Sequence, residues 1–167
     1  MGFSMRKYMC AAMAALALTA QANAASCWQA EAASAARVRD LQTYLMVETL
    51  RCQVMGFNLT SEYNAFLGSN RTAIGAANTT LKSFFIRAEG PVKGQAAYDR
   101  FTTTLANAYG AARTNAATCA TARAVAQEAG LMSNSQDGLL MIAERQALAP
   151  RLPGGRCGQE TLVQAAH

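Results

Sequence analysis

Cysteine is the residue type with the widest chemical latitude in this chain, occurring at 10, 27, 52, 119 and 157. A thiol can serve as a nucleophile, a metal ligand or half of a bridge, and its neighbours decide which. The only histidine is His167, the last residue. Cys–His and Ser–His–Asp mechanisms and His-containing zinc clusters therefore lack their material. No C-x-x-C pair is present, and no C-x-x-C-H, so thioredoxin-like redox chemistry and covalent c-type haem are excluded. "PGGRCG" (153–158) lacks the strand–loop–helix setting of a phosphate loop. Bridging is what remains for the cysteines, and no cofactor or metal signature is read.

One polar constellation stands beside them. Glu48 lies one turn before Cys52, and Asn115 one turn before Cys119. Helix rise brings Asn70 to about the same height, with Arg51, Arg71 and Arg113 close in sequence. Glu48, Asn70 and Asn115 are thus the candidate ligand layer, an interior site for a small polar molecule. The alternatives are a hydrogen-bonded layer that fixes helix register, or a slight rotation that leaves Glu48 outside and Thr49 inside. Glu48 has no evident acidic partner, so a carboxylate-only hydrolase is the least supported option.

The redox compartment follows from the first two dozen residues. "MGFSMRKY" carries Arg6 and Lys7, "MCAAMAALALTA" is an apolar run, and "ANA" (22–24) supplies small residues before a cut after Ala24. That is the anatomy of a secretory signal and predicts a periplasmic or secreted domain over 25–167. The cut removes Cys10, and the even set Cys27, Cys52, Cys119 and Cys157 then favours two disulfides. "AASC" (24–27) faintly suggests a lipoprotein box, but Ala24 replaces the usual Leu and lipidation of Cys27 would leave an odd thiol. A lipid anchor is therefore disfavoured. No later stretch approaches the ~20 apolar residues of a membrane span. Loss of the signal also takes two cations, lowering the net charge from +5 to +3. Without a Lys/Arg run, this gives no nucleic-acid footprint.

These groups must be positioned by helices. From Trp28 to Gly56, apolar or small residues recur at 35, 38, 41, 45, 52 and 55, the spacing of one helix face. A second helix is predicted from Thr60 or Ser61 to about Glu89, with Tyr63, Phe66, Ile74, Leu81 and Phe85 on its stripe. Between Tyr98 and Ala129 a three-four alternation runs unbroken through Leu105, Asn115 and Cys119 to Gly130, predicting a third long helix. A shorter fourth is expected over about 136–148, then a turn-rich tail from about 150. The fold class is all-α: an antiparallel up-down bundle of three long helices plus a shorter fourth.

Helix rise also selects the bridges. Cys27 and Cys52 lie roughly 37 Å apart along one helix, far beyond the ~7 Å that a disulfide spans. Cys52 and Cys119 stand at nearly equal heights, roughly 36 and 40 Å up the first and third helices. The tail after the fourth helix reaches back about 30 Å, enough to bring Cys157 to Cys27. The expected pairs are Cys52–Cys119 and Cys27–Cys157, with Trp28 covering the lower one. The aromatics at helical spacing read as core, the dispersed arginines as solvated surface, and the sequons "NLT", "NRT" and "NTT" as chance matches.

"ARVRDLQTYLMVETLRC" and "AAYDRFTTTLANAYG" resemble segments of small exported proteins of proteobacteria with a four-cysteine helical pattern. The resemblance implies secretion and a helical four-cysteine frame, and it transfers no site residue. The functional expectation is an exported, non-enzymatic helical protein, acting as a binding or envelope accessory factor. Its partner would be an unknown protein or a small polar ligand. The alternatives are a small-ligand carrier built on Glu48 and, last, the hydrolase.

Overall fold

The computed structural model describes residues 27–158. The segment read as a secretory signal, with Cys10, and the tail from 159 with His167 lie outside the described residues. Six helices are present there, α1 (Ala30–Val54), α2 (Thr60–Ser69), α3 (Arg71–Glu89), α4 (Pro91–Gly110), α5 (Ala116–Gly130) and α6 (Gln136–Arg145). The extended contact among the described residues is a single parallel bridge between Trp28 and Arg156. The all-α class holds.

α1 is the axis of the molecule and touches all five other helices. Its sequence suits that place. Ala32, Ala33, Ala35 and Ala36 let neighbouring backbones approach, while Val38, Leu41 and Leu45 fill the space above. The chain turns away from α1 at Gly56, just past the Met55 cap, where a φ of 87° suits a residue without a Cβ. The Gly56 N–H donates to Gln53 O and the Phe57 N–H to Cys52 O, the two bonds of a Schellman turn.

Two of the long helices expected from periodicity are broken. The second divides at Asn70 into α2 and α3. The third ends at Gly110, and after a turn over 111–115 the chain starts α5. Asn115 is therefore not inside a continuous seam. Its side chain accepts from the Thr118 N–H at 3.0 Å while Thr118 Oγ1 accepts from the Asn115 N–H at 2.8 Å, forming a capping box. α5 runs beside α2 in the same sense: Arg123 pairs with Glu62, and Ser69 Oγ donates to Gly130 O. The return leg of the bundle accordingly begins at Ala116, not near residue 136. α6 follows, packed on α1 and α5.

The physical cause of the second break lies on α1. Arg51 donates to the carbonyls of Tyr109 (2.7 Å), Gly110 and Ala112 and to the Thr114 hydroxyl. A guanidinium thus supplies the donors that the last turn of α4 lacks, and its charge faces the negative end of the helix dipole. Asn70 makes the first break in a similar way. Its Nδ2 donates to Phe66 O (3.0 Å) and Ala129 O (2.7 Å), and its Oδ1 accepts from the Asn134 N–H (3.1 Å). Asn134 in turn accepts from the N–H groups of Thr72 and Ala73 at the start of α3.

Both disulfides form as expected, Cys52–Cys119 with a Cα–Cα distance of 5.6 Å and Cys27–Cys157 with 4.9 Å. The upper bridge is fully buried with Leu59 and Ala122. The lower one stands beside Trp28, whose ring lies 4.2 Å from Phe84 and 5.5 Å from Phe85 and Phe101, and whose Nε1 donates to Pro153 O. Beside this aromatic cluster, next to the α3–α4 connection, the two helices close tightly, because Gly94 lies against the α3 backbone. A Cβ there would fall 2.5 Å from Phe85 O.

Candidate functional site

Asp40 sits on α1 between Val38 and Leu41 and is 2% exposed. A carboxylate so placed needs partners, because burial favours its neutral form. It has one: the Tyr109 hydroxyl, brought by the last turn of α4, donates to Asp40 Oδ1 at 2.7 Å. Burial raises the Asp40 carboxyl above its ordinary range, and the Tyr109 hydrogen bond pulls it partly back. The same burial, together with the carboxylate, holds the Tyr109 phenol far above its usual value.

The polar array continues one turn at a time along α1. Tyr44 stacks edge-on against Tyr109 with ring centroids 5.5 Å apart. Glu48 follows, 5% exposed, with its Oε2 buried and unpartnered. Burial raises the Glu48 carboxyl, and the Arg51 charge offsets part of that. Asp40, Tyr44 and Glu48 thus form an i, i+4, i+8 stripe on one face of α1.

Over the lower end of this stripe opens a cleft of about 720 Å3, between α1, α4 and the segment that follows α6. Its walls are mostly apolar, built by Phe101, Leu105, Ala108, Ala112 and Pro150, with Thr104 and Asn107 of α4 adding polar groups. Asp40 and Tyr109 supply polarity on the inside, and the exposed Arg151 stands on the rim. The volume and the mostly apolar lining with a few fixed polar groups suit a small organic ligand.

The three residues expected to share a ligand layer do not do so. Glu48 is buried beside Arg51. Asn70 is also buried, but its amide is fully engaged at the α2–α3 joint. Asn115 is an exposed helix cap. No hydrogen bond joins these three among the described residues. Equal heights were a sound inference for Cys52 and Cys119, but the layer needed two unbroken helices. Thr49 is buried as well as Glu48, its hydroxyl returned to Leu45 O at 2.7 Å. Arg71 and Arg113 are exposed.

Sequence reasoning does not single out Asp40 or Tyr109. For Asp40 a readable signal exists, since two carboxylates and the phenol of Tyr44 recur at four-residue spacing along α1; for Tyr109 on α4 there is none. Nothing in the pattern showed that Ala149–Arg151 would close the third side of a cleft.

No family model, no curated protein and no solved structure matches this chain.

The site is therefore read from its own chemistry. All four cysteines of the described residues are bridged, so none of them is a free nucleophile. Those residues also contain no group of three or more His, Cys, Asp or Glu arranged to hold a metal. What the cleft offers is one buried carboxylate, one phenol and a largely apolar enclosure, which together can bind and orient a small molecule.

Proposed function

We propose that this is an exported binding protein, periplasmic or secreted, whose cleft between α1 and α4 takes up small amphipathic molecules. The observation that carries the reading is the buried Asp40 on the inside of an apolar cleft of about 720 Å3. The two disulfides suit an oxidising compartment, and no described helix is long and apolar enough to cross a membrane. The secretory signal and the resemblance to exported four-cysteine proteins support the same location.

A thermal-shift screen of small amphiphiles against the native, oxidised protein tests this. A ligand at a hundred times its Kd stabilises the fold by about 2.7 kcal/mol. Ala108→Trp, at an exposed wall position, fills the cleft without disturbing the core. Ligands of the cleft lose their shift in that variant. A screen whose every stabilising compound acts equally on Ala108→Trp would refute the reading.

A further inference from the structure

Asp40 is provided with half of what a buried carboxylate needs. Its Oδ1 accepts from Tyr109, and no second hydrogen bond to the carboxylate exists among the described residues. Its other oxygen is not among the sealed, unpartnered polar atoms, which are Arg37 Nε, Arg39 Nε and Glu48 Oε2. Asp40 lines the cleft, and that is where Oδ2 has its access.

Nor does any ion pair among the described residues give Asp40 a counter-charge. The ion pairs among the described residues are Arg123–Glu62 and Arg145–Glu128. On α1, Arg39 is directed to Gln42 and Asn78, Arg51 is committed to the end of α4, and no hydrogen bond or ion pair joins Arg37 to Asp40. From α4 the titratable neighbour is Tyr109, with Tyr44 of α1 behind it. Beyond α6 the charged group is Arg151, exposed at the mouth. The walls add two aromatic faces, Phe101 and Tyr109, which attract cations through their ring quadrupoles.

We propose that the cleft is selective for organic cations, a primary or secondary ammonium on an apolar body of one or two rings, with the ammonium donating to Asp40. This rests on the reading of the cleft as the binding site. An ammonium gives the carboxylate both a counter-ion and a hydrogen bond in a setting where water screens poorly, which a neutral donor of the same shape cannot match. Tyr109 fixes the carboxylate rotamer, and the buried Asp40 charge repels acids from the interior, while Arg151, exposed at the mouth, is screened by solvent and opposes the ammonium only weakly.

Three matched probes decide the matter: tryptamine, its alcohol analogue tryptophol, and indole-3-propionate, titrated calorimetrically into the oxidised protein near neutral pH. Tryptamine is expected to bind about tenfold or more tighter than tryptophol, and the propionate not at all. Asp40→Asn should erase the difference between amine and alcohol. Acidification from neutral pH should weaken tryptamine and leave tryptophol unchanged, because protons compete for Asp40. Equal binding of tryptamine and tryptophol, both lost in Ala108→Trp, overturns the cation preference and leaves the cleft reading standing. Binding of all three that survives Ala108→Trp overturns both. No binding by any probe at millimolar concentration overturns the cation preference, and the amphiphile screen then judges the cleft on its own.

Discussion

Replacing Cys52 and Cys119 together by Ala separates two contributions of the upper bridge. The loop it closes spans 67 residues. Loop-closure entropy over that length corresponds to about 4 kcal/mol at room temperature. The sulfurs are also packed, with Cys52 at 0% and Cys119 at 1% exposure. Removing them leaves a small cavity beside Leu59 and Ala122, costing roughly 1–2 kcal/mol more. A loss of about 5–6 kcal/mol is expected, a third or more of the stability of an ordinary domain. Guanidinium unfolding measures it, followed by circular dichroism and by fluorescence of Trp28, the only tryptophan and 1% exposed. The same exchange made in a Cys27→Ala/Cys157→Ala background and compared under reductant should cost only the packing part, roughly 1–2 kcal/mol. A loss below about 2 kcal/mol in the oxidised comparison would refute the argument, because the unfolded chain would then gain little freedom from the opened loop.

Gly94→Ala should destabilise by several kcal/mol, since its Cβ meets backbone atoms of α3 at 2.5–2.7 Å; Gly75→Ala, with nothing within 4 Å, should gain about 0.5–1 kcal/mol, and urea melts of the pair check the contrast. Asn70→Ala removes one acceptor and two donor bonds from a fully buried site and should cost about 3 kcal/mol, with hydrogen exchange accelerating first at the α2–α3 joint and around Asn134. Burial raises Asp40 and Glu48 above their ordinary values of 3.8 and 4.5, so the native state keeps these protons to higher pH than the unfolded chain. Their contribution to stability is therefore best on the acid side and declines as pH rises from about 4 through the raised native values. Asp40→Asn should remove part of that decline, so its stability relative to the native protein should rise as pH increases from about 4 through the raised native value in denaturation series. A constant difference would contradict the assigned burial effect.

Much of the fold was legible because it rests on local pattern. Apolar spacing located the helices, Gly56 the first turn, and helix rise both bridges. The breaks at Asn70 and at 111–115 were not legible, because the residues on either side remain good helix formers on a continuous stripe. Tertiary partners decide there: Arg51 takes the carbonyls of α4, and Asn70 ties α2 to Ala129 and Asn134. One local cue was present, the Asn115-x-x-Thr118 capping box, but it sat within an uninterrupted seam and was outweighed. The height argument for Cys52–Cys119 succeeded although its third helix was wrong. The turn occurs at the top of the bundle, so Cys119 on the descending leg stands where an ascending one would have put it. The pattern leaves Glu48 open between an inside and an outside position, and the structure buries it together with Thr49 and Asn70; the cleft was invisible because its third wall is an irregular segment.

The lower bridge also has a mechanical consequence. Cys27 and Cys157 hold their Cα atoms 4.9 Å apart across 130 residues of sequence. Any tension applied between chain preceding Cys27 and chain following Cys157 runs through that one covalent link. The helices between them hang as an unloaded loop. Pulled from its ends in an oxidising medium, the domain should behave as an inextensible point, and its contour should be released only after a reductant cuts the shunt.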